Sequence, residues 1–189
     1  MSYDFYMIRR IEGRDPMDVV RERFDWEKAQ TEINPGPPVP AKEEKKRELA
    51  RRLIELNPKL EVFPFGFKEI ADQEKCTEAE ARLRYRHLEL DQEGGNGIQI
   101  TLFDDTASLT VPYWHESGKA AAVFAEIFQY FGILDKYGDF MAYDYQLDRV
   151  LCLSTDLDES LRAYGRVIEQ MPKIIANASR GPKPWWKFW

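Results

Sequence analysis

Two histidines stand in the 189-residue chain, and each has a glutamate beside it: His87-Leu-Glu89 and His115-Glu116. An imidazole oriented by a carboxylate is how a general base is assembled. On a strand, residues two apart share a face, so His87 and Glu89 can meet. The same spacing describes an ordinary surface ion pair, which is the plainer reading. His115 precedes an expected helix start, where a local contact with the helix end is the simpler role. HExxH, CxxC and the EF-hand spacing are absent. Asp104 and Asp105 would share a cation with Asp91 or Glu93 only if hairpin ends converged, and adjacent acids in a strand connection ordinarily serve the turn. The glycine cluster Gly94-Gly95-Asn96-Gly97 lies between two expected strands and not before a helix, so no helix N-terminus backs it as a phosphate cradle. No serine or cysteine has a nucleophile's surroundings. These residues name no reaction, and neither metal nor cofactor is expected; an enzyme using His87 or His115 with adjacent carboxylates is the alternative.

The elements that must position these side chains are clearer. SYDFYMIRR, with its aromatics and loose alternation, suits a first strand. Asp15 and Pro16 are a cap and first residue for a helix over DPMDVVRERFDWEKA. NPGPPVP (34–40) predicts an extended linker. AKEEKKRELARRLIELN predicts a helix with Leu49, Leu53 and Leu56 on one face, stopped at Asn57-Pro58. FPFGF (63–67) predicts an apolar loop or short strand, and Thr77 with Glu80 is a capping box. RYRHLELD ends in a strand, GGNG is a tight turn with positive φ at Asn96-Gly97, and IQITLF and ASLTVPYW alternate as half-buried strands. Pro112 marks an edge or a strand end. Residues 117–138 form a helix too apolar to lie at the surface. A second hairpin turns around Asp144–Asp148, and a last helix capped by Thr155 ends at Pro172. Strands arriving in hairpins predict an α+β fold: an antiparallel sheet with amphipathic helices packed on one face. One domain over 1–176 and a basic aromatic tail over 177–189 complete the expected organisation.

Composition narrows the function. Apolar residues make up 43% and charged residues 32%, as in a soluble globular protein, and no run reaches the ~18 apolar residues of a membrane span. The start of the chain does not resemble a secretory signal, and Cys76 and Cys152 have no metal-like spacing. Reduced thiols and a cytoplasmic setting are expected. Net charge is −6, unevenly spread: residues 84–164 hold 14 acids against 6 bases. Such a body repels nucleic-acid phosphates and attracts a basic protein.

MSYDFYMIRR, NPKLEVF, RYRHLELD, IQITLFDDTASLTVPYW and YDYQLDRVL together resemble a family of small bacterial proteins that often begin MSYD. Some of these resemble the immunity proteins that neutralise toxins delivered between competing bacteria. The resemblance covers about residues 1–155 and implies a binding protein with no catalytic residue to transfer. An acidic surface would then dock on the toxin through Asp91, Glu93, Asp104, Asp105, Asp144 and Asp148, all in or beside strand connections that could gather at one end of the sheet. Tyr113 and Trp114 would supply an aromatic anchor. The plain alternative is that these acids are solvated loop residues.

The chain finishes PKPWWKFW. Trp185, Trp186, Phe188 and Trp189 are expected to bury themselves rather than stay in water. Their partner is the body of the same chain, a groove on another protein or a second copy, or a membrane surface that would make the protein a peripheral adaptor.

Overall fold

The structure is a computed structural model that describes residues 2–23, 37–92 and 94–178. The linker residues 34–36, Glu93 and the tail residues Trp185, Trp186, Phe188 and Trp189 lie outside the described residues. Among the described residues there are seven strands and six helices. In chain order they are β1 (Ser2–Arg9), α1 (Pro16–Arg23), α2 (Pro40–Leu56), β2 (Glu61–Val62), α3 (Phe67–Glu74), α4 (Glu78–Arg84), β3 (Leu88–Asp91), β4 (Gln99–Leu102), β5 (Thr106–Pro112), α5 (Ser117–Gly138), β6 (Phe140–Asp144), β7 (Arg149–Val150) and α6 (Leu157–Ala178).

The strands form one antiparallel sheet in the order β2-β3-β4-β5-β1-β6-β7, an α+β fold. β1 is an interior strand, with Phe5 opposite Leu109 of β5 on one side and Asp144 of β6 on the other. Period-two alternation sorts the side chains. Tyr3, Phe5 and Met7 of β1, Ile100 and Leu102 of β4, and Ala107, Leu109 and Val111 of β5 face α2, α5 and α6 across the main core. α5 fills that core with Phe124, Ile127, Phe131 and Leu134, and α6 adds Ala163 and Tyr164. Burying so many aromatic and branched side chains, at ~1.5–3 kcal/mol each, is what holds the layers together.

α1 departs from the one-face expectation. Its Val19 and Val20 pack on the reverse face against Ile8, Met141 and Tyr143. β6 is therefore buried on both sides. The remaining reverse face, with Gln99, Thr101, Ser108 and Thr110, carries the short polar side chains that the alternation demands.

Local signals mostly hold. Asp15 Oδ1 accepts from the amides of Met17 and Asp18, and Thr77 and Glu80 close a reciprocal capping box. Pro40 belongs to α2 as its first-turn proline and not to a linker. α6 starts at Leu157, so Asp156 precedes it in place of Thr155, and it continues through Pro172 to Ala178, two residues into the segment expected as tail. An interior proline removes one hydrogen bond and its ring crowds the carbonyl four residues back, which a long helix can survive with a kink. Both cysteines are free.

Candidate functional site

Each hairpin reverses the chain, so successive connections alternate between the two ends of the sheet. Residues 92, 94–98, 113–116 and 145–148 lie at one end, here called the lower end; residues 103–105 lie at the other. At the lower end a cleft of about 1070 Å³ opens between the end of α2, the β3–β4 connection and the first turns of α5.

Its floor is a polar cluster around Glu126 of α5. Asn57 and Asn96 donate their side-chain amides to this carboxylate at 3.0 and 2.6 Å, and the Tyr130 hydroxyl donates to it as well. Asn57 also donates to the Tyr130 oxygen at 2.8 Å. Burial pushes the Tyr130 phenol well above its ordinary pKa, so it stays a donor; the Asn57 contact works against the shift and Glu126 adds to it. Each contributor has a local reason to be there. Asn57 stops α2, where its N–H caps the Leu53 carbonyl, and Asn96 turns the chain by accepting from the Ile98 amide. This turn is longer than a two-residue hairpin, and its positive φ angles fall at Gly94 and Gly97.

One wall is Trp114, 71% exposed. Its benzo ring lies against the bare backbone of Gly97, beside Pro112: a methyl group at position 97 would sit 2.5 Å from Trp114 Cζ2 and 2.8 Å from Pro112 Cγ. One side of the indole is thus supported and the rest faces water. Behind it, His115 is buried and donates from Nε2 to the Asn96 carbonyl at 2.6 Å. The Tyr164 hydroxyl accepts from the His115 amide and donates to the Pro112 carbonyl at 2.6 Å, fixing the segment onto α6. Tyr113 stacks on Tyr164, with ring centroids 5.5 Å apart, and burial raises its pKa to about 12, with Asp4 adding to the shift.

The expected docking residues separate. Asp91 lies at the lower end, half-buried, opposite Glu61 of β2. Asp148 is exposed there and accepts from Tyr143 at 2.7 Å. Asp144 is fully buried, so it cannot be offered to a partner; it accepts from Tyr3, Ser160 and the amides of Gln146 and Leu147. Asp104 and Asp105 lie at the opposite end, so the six acids do not gather at one end. Asp104 binds Lys46 at 2.9 Å and Arg86, while Asp105 binds Lys42. Lys46 is only 2% exposed and also reaches the Arg86 carbonyl at 2.9 Å. Of the expected pair, Trp114 is exposed, while Tyr113 is half-buried against Tyr3 and Tyr164.

Neither histidine carries its glutamate into the cleft as a working base. His87 meets Glu89 at 3.1 Å on the reverse face, enclosed by Phe65, Tyr85 and Phe103. The ring nitrogen Nε2 of His115 is taken by Asn96 and not by Glu116. Sequence reasoning missed Glu126, Asn57, Asn96 and Tyr130. Glu126 did leave a signal, as the lone charge between Lys119 and Asp135 in an otherwise uncharged run.

No group of three or more His, Cys, Asp or Glu side chains among the described residues is placed to hold a metal ion, and no described helix is long and apolar enough to cross a membrane. No family model, no curated protein and no solved structure matches the chain.

Proposed function

We propose that this protein is a non-catalytic binding protein of the immunity type, which neutralises a basic bacterial toxin by docking on it with the lower end of the sheet. The observation that carries the reading is Trp114. A tryptophan left 71% exposed, backed by Gly97 and Pro112 at the lip of a cleft, is the kind of rigid apolar anchor that dominates interface energetics. Removing its remaining exposed surface from water would contribute on the order of 2–4 kcal/mol. The clustered neutral donors around Glu126 keep the cleft in shape before a partner arrives, which lowers the ordering cost of association. The likeness of MSYDFYMIRR and IQITLFDDTASLTVPYW to an immunity-like family supplies the class of partner.

The test is co-expression with the toxin encoded beside this gene. Wild-type protein should restore growth and bind the purified toxin by calorimetry. Trp114→Ala should weaken binding by at least ~10-fold while leaving the thermal midpoint and circular dichroism unchanged. Growth arrest in the presence of well-folded wild-type protein, with no heat of binding, rules the reading out.

A further inference from the structure

Resting on that reading, we propose that the cleft receives an arginine side chain of the partner, its guanidinium stacked on the open side of Trp114 and its charge met by Glu126. Glu126 is a carboxylate whose contacts within the cleft are all neutral: two carboxamides and a phenol. Several acids elsewhere are met by cations, such as Asp104 by Lys46 and Arg86, Asp135 by Arg10, and Glu159 by Arg149. Among the described residues neither Glu126 nor Glu116, at the mouth of the same cleft, takes part in an ion pair. Lys59 and Lys119 stand on the exposed rim without reaching either carboxylate. Among the described residues no cation meets the negative charge of the floor, which suits it to an incoming one.

Geometry joins that charge to the indole. Asn96 donates to Glu126, and the next residue, Gly97, supports Trp114. Carboxylate and aromatic surface thus flank one dipeptide and line one cleft. Of the two basic side chains, arginine suits the pair better. Its guanidinium is planar, so it stacks on an indole while its edge donates to a carboxylate, and it is more weakly hydrated than an ammonium group. A lysine ammonium would meet the charge but waste the flat surface.

The inference is tested with N-acetyl-arginine amide as probe, titrated into ¹⁵N-labelled full-length protein and followed by NMR. The Trp114 indole N–H and the side-chain amides of Asn57 and Asn96 should shift together and saturate. The citrulline analogue, equal in shape but neutral, should bind at least ~10-fold more weakly, and the lysine analogue ~3-fold more weakly. Glu126→Gln should weaken the arginine compound ~5-fold. Should that variant fail to fold, Trp114→Ala, at an exposed position, gives the second reading: the Asn96 response must weaken by a similar factor. Non-saturating shifts, or equal binding of the citrulline or lysine compound, overturn the inference. Because no toxin is present, the two conclusions part cleanly: saturable binding with failed protection takes down the toxin reading alone, and protection without saturable binding takes down the arginine pocket alone.

Discussion

Four donors converge on the Asp144 carboxylate from three elements: Tyr3 from β1, the amides of Gln146 and Leu147 from the β6–β7 turn, and Ser160 from α6. Burial pushes this carboxyl up from its ordinary pKa, against the pull of those donors. A buried acid so surrounded orders the interior. Asp144→Ala strands the donors without an acceptor and should cost on the order of 3 kcal/mol or more, seen as a lower urea midpoint at unchanged slope. A loss under ~1 kcal/mol would mean that water replaces the carboxylate easily. Asp104 makes the opposite case. Burial works against its ionisation, but Lys46 and Arg86 outweigh it and hold the carboxyl below its usual range. A depressed folded pKa means that the unfolded chain binds the proton more readily, so this contribution is complete above the unfolded value of 3.8 and is lost as pH falls through the folded value. Asp104→Asn should therefore destabilise the protein at pH 7, and the gap from wild type should narrow when the urea titration is repeated near pH 3.

At the scale of elements, the β3–β4 connection has to bring Asn96 to α5 and a bare backbone to Trp114. Gly97 does the second with φ at +74° and no Cβ. Gly97→Ala should cost ~1–2 kcal/mol from the left-handed backbone alone and displace the indole, so Trp114 fluorescence should shift even where the fold survives. An unchanged emission maximum would show that the indole does not rest there. The sequence made some elements legible and not others, for identifiable reasons. β4, β5 and α5 are long enough for period and composition to agree, and their residues enter the core as the alternation requires. α3 escaped because eight residues, FKEIADQE, give barely two turns of pattern, and the FPFGF run before it obscures the start. α1 reveals its Val19-Val20 face but not which side of the sheet receives it. For the site, Trp114 was visible as an aromatic just past a strand. The separation of Asp104 and Asp105 from the lower end follows from counting reversals between hairpins, whereas the burial of Asp144 depends on contacts 141 residues apart in the chain, which no local pattern encodes.

Over the whole molecule, net charge and contact charge are different quantities. The chain carries −6, yet many acids are tied to neighbouring bases, and among the described residues the lower end holds a few that face water. Exposed Glu116 and half-buried Glu126 line the cleft, with Lys59 and Lys119 tempering them at the rim, and exposed Asp148 and half-buried Asp91 stand elsewhere at the same end of the sheet. In the proposed complex such a field would act at a distance, on the encounter, while affinity would rest on the seated tryptophan and the desolvated floor. Salt separates the two. Raising ionic strength from 0.01 to 0.15 M shortens the screening length from ~30 to ~8 Å. Stopped-flow association with the basic toxin should then slow by roughly tenfold, while dissociation changes by less than about twofold. Trp114→Ala should give the complementary pattern, with association nearly preserved and dissociation faster. An association rate indifferent to salt would mean that the acidic body does not steer the partner, and an equal salt effect on dissociation would place the charges inside the contact, where the arginine titration already looks for one of them.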